Sequence, residues 1–290
     1  MNVSVLGLGA MGAAFAHALL AGGHDVSVWN RSAARAEPLL AAGAQPAADP
    51  AGALAVADVA ILIVPHYADV REILASDGAP AALRGKVVVN LTTGQPEEAV
   101  EMAAWLAQQG ADYLDGRVGA YPDGVGTDHS NTIYSGPSAV FERARPALES
   151  MGSDCRLVAE DIRAANALAF SMVTVFHHLA LGGFYEAAAL ADRFGVPAAE
   201  WRRMAGPILE LTREAIERGG AQIEAGNYDG DLATLDIHAE ALYMAEEAMI
   251  DLDAAHALTS AMARYFDRAR GQGLGGSEVA AAFEVMRGPR

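Results

Sequence analysis

Apolar positions in this 290-residue chain change their spacing near residue 160. Before it, short apolar runs alternate with amphipathic and alanine-rich stretches. Val3–Leu6, Asp25–Trp29, Asp58–Val64 (DVAILIV), Lys86–Leu91 (KVVVNL), Tyr113–Val118, Ser130–Tyr134 and Asp154–Val158 read as strands. Ala13–Ala21, a stretch beginning near Pro96, and the stretch from Pro137 to about Met151 read as helices. Strands alternating with helices predict a mainly parallel sheet covered on both faces. After Glu160 the strand-type runs stop. From Ile162 to Phe194 there is no proline, and Asp161 is placed to cap the start. A helix of about 30 residues would be roughly 45 Å long. That exceeds what a small domain covers, and predicts a spine shared between domains or subunits. Further helices are predicted at Ala198–Arg218, Asp231–Met249, Ala255–Gly271 and Ser277–Met286, with breaks at Gly219-Gly220 and Gly226–Gly230.

The first run ends in a glycine turn. Gly7, Gly9 and Gly12 stand between the first strand and the first helix, the context in which G-x-G-x-x-G marks a dinucleotide site. The first glycine allows a tight turn, the second lets backbone approach a pyrophosphate, and the third lets helix and strand pack closely. The phosphates would then lie on the helix N-terminus, with the backbone of Leu8, Ala10 and Met11 around them. An ordinary βα turn is the plain alternative. The predicted fold is thus an α/β Rossmann domain over residues 1–159 and an all-α domain over 160–290, joined by a long interdomain helix.

The end of the second strand selects the dinucleotide. An acidic residue there holds the ribose 2′-OH of NAD. Here Asn30-Arg31-Ser32 follows, with Arg35 a turn later. Guanidinium and hydroxyl groups suit a 2′-phosphate, so NADPH is the expected cofactor. Val64, Pro65, Asn90 and Thr92 close later strands and join the cofactor set, because ligands of open α/β sheets bind beyond the strands' carboxyl ends.

Charge and composition narrow the partners. The formal net charge of −17 disfavours nucleic acid and anionic membranes and mildly favours cationic small molecules. Cys155 is the only cysteine, which excludes an internal disulfide and fits a reducing cytoplasm. The apolar N-terminus lacks a basic segment and is broken by glycines, unlike a secretory signal. No stretch reads as apolar for long enough to span a bilayer; the longest, Ala164–Leu190, is interrupted by Asn166, His177, His178 and Glu186. His66, Tyr67, His129 and His256 have no supporting spacing, and no histidine pair with carboxylates forms a metal set.

These residues carry a resemblance. GLGAMG at Gly7–Gly12 and Asn30-Arg31-Ser32 resemble the β-hydroxyacid dehydrogenases and the related imine reductases. Tyr121-Pro122 within GAYPDGVGT, followed by Tyr134-Ser135-Gly136-Pro137, is similar to the imine reductase branch, as are Asn90–Gly94 with Pro96-Glu97-Glu98, GVPAAEW at Gly195–Trp201 and GDLATLDIH at Gly230–His238. The resemblance implies a homodimer with intertwined helical domains and a catalytic cleft between the domains. It also implies NADPH-dependent reduction of an imine or iminium ion. The hydroxyacid branch uses a lysine on the long helix, and no lysine follows Lys86.

Imine reductases commonly place an aspartate or tyrosine at that lysine position. Counting back without gaps from Gly183-Phe184 puts Phe170 there, which cannot donate a proton. A shift of a few residues offers only Asn166, Leu168, Ser171 or Thr174. His178 stands where the family often has a pocket aromatic. His177 lies closest to the Phe170 face at 3.6 residues per turn, with His178 about 80° round. Either can donate a proton near neutral pH, or either is a helix histidine bonded to a carbonyl or a partner subunit. Tyr121 matches the family's loop tyrosine, which contacts substrate or cofactor; alternatively it packs on the next helix. Phe170, Met172 and Val173 would shape the pocket. Thr92 or Thr93 would lie near the nicotinamide, or would cap the following helix. His238 would come from the partner subunit. Three readings remain: an imine reductase, a carbonyl or hydroxyacid enzyme with an unusual acid, or an NADPH-binding protein without catalysis.

Overall fold

A computed structural model describes residues 1–230 and 232–288. Eight strands form one sheet: β1 (Asn2–Leu6), β2 (Asp25–Trp29), β3 (Gln45–Pro46), β4 (Val59–Leu62), β5 (Val87–Asn90), β6 (Asp112–Gly119), β7 (Asn131–Ser135) and β8 (Asp154–Ala159). Their order is β3-β2-β1-β4-β5-β6-β7-β8. All neighbours are parallel except β6 and β7. Those two are joined by a loop whose only regular piece is a short 3₁₀ turn, Pro122–Gly124, so the chain reverses without a crossover helix.

The strands β4 (VAIL) and β5 (VVVN) are buried at every position, as expected of parallel strands covered on both faces. On one face Phe15, Leu19, Val28, Phe141 and Leu148 pack together; on the other, Leu54, Leu62, Val70, Leu83 and Leu106. The covering helices include α1 (Ala10–Ala21), α2 (Tyr67–Leu74), α3 (Pro96–Gln108) and α4 (Ser138–Glu149). The strand order reverses between β1 and β4. That reversal opens a crevice beyond their carboxyl ends, where the glycine turn and Val64 lie.

Next comes α5, a continuous helix over Ala164–Arg193. It is not uniformly α-helical. Ala164–Leu168 and His177–Arg193 are α, while Ala169–Phe176 is π-helical. The β-branched run Val173-Thr174-Val175, stiff at χ1, lies inside the π-helical stretch. By length and composition α5 could cross a bilayer, contrary to the sequence expectation. Two of the polar residues that interrupt it, Asn166 and Glu186, are buried and bonded to the protein's own groups.

The chain forms two compact units, Met1–Val175 and Phe176–Arg290. In the second, the His177–Arg193 stretch of α5, α6 (Ala198–Ala225), α7 (Leu235–Asp251) and α8 (Ala257–Gly271) are the long elements. Its small core comprises Leu235, Ala239, Phe266, Ala269, Ala282 and Val285. The expected break at Gly219-Gly220 does not occur; α6 runs through both and stops at Gly226, which takes φ 64°. A Cβ at Gly219 would approach Ala280 to 3.3 Å, so that glycine serves close packing rather than a turn. The expected helix start Asp231 lies outside the described residues, and α7 begins at Leu235 after a Thr234 cap. Ser277–Met286 is a 3₁₀ turn, Val279–Ala282, followed by a short helix, Phe283–Met286.

Candidate cofactor and active site

A cavity of about 960 Å³ opens beyond the ends of β1, β2 and β4. Gly7, Gly9, Ala10, Met11, Gly12, Asn30, Arg31, Ser32, Arg35, Val64 and Pro65 line it. Trp29, Pro50, Ile63, His66, Asp69, Glu72, Ile73 and Ser76 complete the wall and were not expected from sequence. Local geometry explains each glycine. Gly7 takes φ 100°, and a Cβ there would lie 2.3 Å from the Ile63 carbonyl oxygen. A Cβ on Gly12 would lie 1.9 Å from the Gly7 carbonyl oxygen. A Cβ on Gly9 would meet nothing within 4 Å; it would stand in the space a ligand would fill. The helix α1 starts behind Gly9 without a side-chain cap, so its first-turn N–H groups are donors for a phosphate. The cradle therefore fits a dinucleotide pyrophosphate.

Three residues from the expected cofactor set do other work. Leu8 is a core side chain, and its N–H donates to Asn30 Oδ1 at 2.9 Å. Asn90 and Thr92 are fully buried and do not line the cavity. Asn90 Oδ1 accepts the Thr92 N–H at 3.0 Å, and Thr92 Oγ1 accepts the Val64 N–H at 3.1 Å. They lock the ends of β4 and β5 together and shape the wall from behind. Asn30 also donates to the Ser32 carbonyl at 3.0 Å, and Arg35 donates to the Leu8 carbonyl at 3.4 Å.

Behind the strand ends lies a buried polar cluster that sequence reasoning missed. Asp115 on β6 is 0% exposed. Its Oδ1 pairs with Arg117 Nη1 and accepts from Asn166 Nδ2, both at 3.1 Å. Its Oδ2 accepts from Tyr113 at 2.7 Å and from the Tyr67 hydroxyl. Asn166 Nδ2 also donates to Tyr67 at 3.0 Å, Arg117 Nη2 donates to Tyr67 at 3.5 Å, and Asn90 Nδ2 donates to Tyr113 at 3.2 Å. Burial pushes the Asp115 carboxyl up to about 6, against the opposing pull of Arg117, Tyr67 and Tyr113. Burial, reinforced by the Asp115 charge, raises both tyrosines. Arg117 Nε and Asn166 Oδ1 are buried without a partner among the described residues. The signal in the sequence was an aspartate and an arginine two apart, Asp115 and Arg117, inside the strand-type segment YLDGRV.

The other expected site residues are exposed or half-buried. Tyr121 is 74% exposed in the β6–β7 loop, and Thr93 is exposed beside buried Thr92. Phe170 is half-buried; Met172, Val173, His177 and His178 are exposed on α5. The two histidine rings stand edge to face, centroids 5.5 Å apart. Phase counted at 3.6 residues per turn does not carry from Phe170 to these histidines, because the intervening segment is π-helical. His238 is exposed on α7.

A glycine cradle at the switch point of an α/β sheet, followed by a helical unit, defines a dinucleotide-dependent oxidoreductase. Residues 2–159 match the family described as the NAD binding domain of 6-phosphogluconate dehydrogenase, and residues 161–288 match the NADPH-dependent reductive aminase-like C-terminal domain. The NADPH-dependent reductive aminase of Aspergillus oryzae is 28% identical, over 99% of this chain and 97% of that protein. The imine reductase from Myxococcus stipitatus in complex with NADP+ superposes with a TM-score of 0.91 at 29% identity, covering 99% of this chain and 100% of that one. The Streptomyces aurantiacus imine reductase gives 0.88 at 32% identity, covering 99% of both chains. The chain belongs to the imine reductase and reductive aminase group of the 6-phosphogluconate-dehydrogenase-like family, and is an NAD(P)H-dependent oxidoreductase.

Proposed function

We propose that the protein is an NADPH-dependent imine reductase that converts cyclic imines or iminium ions to amines. The observation that carries this reading is the chemistry of the helical half. It matches a reductive aminase-like domain and holds no lysine to take an alcohol proton. NADPH, when bound, supplies a hydride. Delivered to the carbon of C=N, it would make the new C–H bond, with the π-electron pair passing to nitrogen. An iminium ion then needs no proton, whereas a neutral imine needs one.

Each chain residue has a part in this reading. The α1 N-terminus behind Gly9 holds the pyrophosphate. Arg31, Ser32 and Arg35 lie in the same cavity, and no carboxylate closes β2, which favours a 2′-phosphate over a free 2′-OH. Asn90 and Thr92 position Val64 rather than touch the cofactor. Phe170, Met172, Val173 and Thr93 provide substrate surface, with Tyr121 and His238 closing it in the dimer. His178 is the proton donor to a neutral imine. Two turns of i→i+5 helix take roughly eight to nine residues, a count that favours His178 over His177.

A second copy of the chain is the partner. The helix α6 has no buried residue, and Met204, Ile208, Leu211 and Ile216 are each at least 50% exposed along it. Val175, Phe176 and Leu179 add exposed apolar surface on α5. We place the functional boundary near residue 160, between the two family matches, and the protein in the cytoplasm, where the lone Cys155 would stay reduced.

The test is a panel of cyclic imines, N-alkylated iminium ions, ketones and 3-hydroxyacids assayed with NADPH and NADH. NADPH oxidation by the C=N compounds, at least tenfold faster than by any ketone, supports the reading. Preference for a ketone or hydroxyacid overturns it, as does tight NADPH binding without any turnover.

A further inference from the structure

The buried cluster joins two places that matter for hydride transfer, and it does so within the first unit. One arm runs from Asp115 through Tyr113 and Asn90 to Thr92 and Val64, at the cofactor cavity. The other runs through Tyr67 and Asn166 to the first turn of α5. Asn166 is four residues before Phe170, and the π-helical segment begins at Ala169. A slip of one residue at this anchor would swing Phe170 about 100° round the helix axis.

We propose that Asp115 is a positioning residue: its carboxylate, by holding Asn166 and Tyr67, sets where Phe170–Val173 stands relative to the strand ends Asn90–Thr93. It does not touch substrate. This rests on the reading that residues 170–173 face the reacting imine. Stability alone does not account for the cluster. A buried ion pair seldom outperforms apolar packing, and this one leaves Arg117 Nε and Asn166 Oδ1 without a partner among the described residues. The helix start has a separate tether as well, since Ala165 donates its N–H to Ser135 Oγ at 3.1 Å and Ser135 donates to the Ile162 carbonyl at 2.8 Å. Asp115 adds rotational register to that tether.

The arrangement also predicts a proton dependence. The charged or ionisable groups facing Asp115 are Arg117 and Tyr113 on its own strand and Tyr67 from α2; α5 contributes neutral Asn166, β5 neutral Asn90, and β7 sets Ser135 opposite. As a carboxylate, Asp115 accepts four donors. Once protonated, it must direct a hydrogen into that same convergence of donors, and one contact is lost. Burial lifts the carboxyl to about 6 while the Tyr67 and Tyr113 bonds pull it down, so a register that gives up the Tyr67 bond with Asp115 still buried has the higher value; protonation favours that register, which loosens as pH falls through about 6.

The experiment compares wild type with Asp115→Asn and Asn166→Ala. The substrate is an N-methylated cyclic iminium ion, which does not titrate, and amide hydrogen exchange is followed over residues 164–176. Wild-type kcat is expected to fall below pH 6. Asp115→Asn is expected to lower kcat about tenfold at pH 8, abolish the inflection near 6, leave NADPH Kd within twofold and speed exchange over 164–176. Asn166→Ala, which leaves the strand side intact, is expected to speed the same exchange and lower kcat similarly. A role in stability alone would lower the melting temperature yet keep the inflection, and that result overturns the proposal. If wild type reduces no iminium ion, the functional reading fails, and exchange decides the anchor by itself. Unchanged protection over 164–176 in both variants, or exchange that speeds equally throughout residues 1–175, overturns the anchor, and faster exchange confined to 164–176 upholds it.

Discussion

Leu8 donates its backbone N–H to Asn30 Oδ1 at 2.9 Å, so the residue that closes β2 also holds the glycine turn. Asn30 then donates to Ser32, which sets the loop bearing Arg31. Asn30→Asp keeps the acceptor for Leu8 but loses the donor to Ser32 and puts a negative charge beside the cavity. NADPH affinity should fall about tenfold or more, while NADH affinity holds or rises, since the carboxylate repels a 2′-phosphate and can accept from a 2′-OH. Paired titrations with the two dinucleotides check this; equal weakening of both would show that the turn, not the charge, dominates.

The glycines should separate cofactor binding from stability. Gly9→Ala places a Cβ in open space, so the melting temperature should stay within a degree or two while NADPH binding weakens at least tenfold. Gly12→Ala drives a Cβ to 1.9 Å from the Gly7 carbonyl oxygen, so helix and strand must part. The expected cost is about 1–3 kcal/mol of stability, with cofactor binding lost as well. Thermal denaturation and dinucleotide titration on both variants read the contrast.

The first unit was largely legible because its signals are local. Buried parallel strands read as apolar runs, and β2 lies at the residues expected, Asp25–Trp29. Gly7, Gly9, Gly12 and Arg31, singled out from the sequence, line one cavity beyond the strand ends. What escaped depends on contacts remote in sequence. The bond from Asn166 to Tyr67 spans 99 residues, and nothing near Asn166 announces it. The helical unit hid a different kind of information. Gly219-Gly220 looks like a stop signal until Ala280 is seen beside it, and the π-helical stretch defeats any face counted at 3.6 residues per turn.

Glu186 caps the start of α8 from a distance. Its carboxylate accepts the Leu258 N–H at 2.9 Å, and the Thr259 N–H and hydroxyl at 3.0 and 2.9 Å. Burial alone would raise the carboxyl, but these three bonds outweigh it and hold it below its ordinary value of 4.5. A depressed carboxyl contributes stability that is complete above its unfolded value and is lost as pH falls through the folded one. Glu186→Ala should therefore cost roughly 2 kcal/mol at neutral pH, with the difference from wild type shrinking as acidification protonates the carboxylate. Melting curves at pH 7 and pH 3.5 test the sign; a gap that widens on acidification would show the cap working through something other than charge.

The histidines on α5 give the sharpest test of the chemistry. A neutral imine must gain a proton at nitrogen, and Phe170 cannot supply it. If His178 does, His178→Ala should lower kcat for a neutral cyclic imine by about a hundredfold, in the usual range for a general acid. The same variant should slow an N-methylated iminium ion less than threefold, since that substrate needs no proton. His177→Ala should change neither by more than threefold, and NADPH affinity should hold in both variants because the cradle lies on α1. Equal loss on both substrates would mean that His178 shapes the pocket rather than donating. A hundredfold loss for His177→Ala on the neutral imine alone would transfer the role to His177 and with it the count along the π-helical turn.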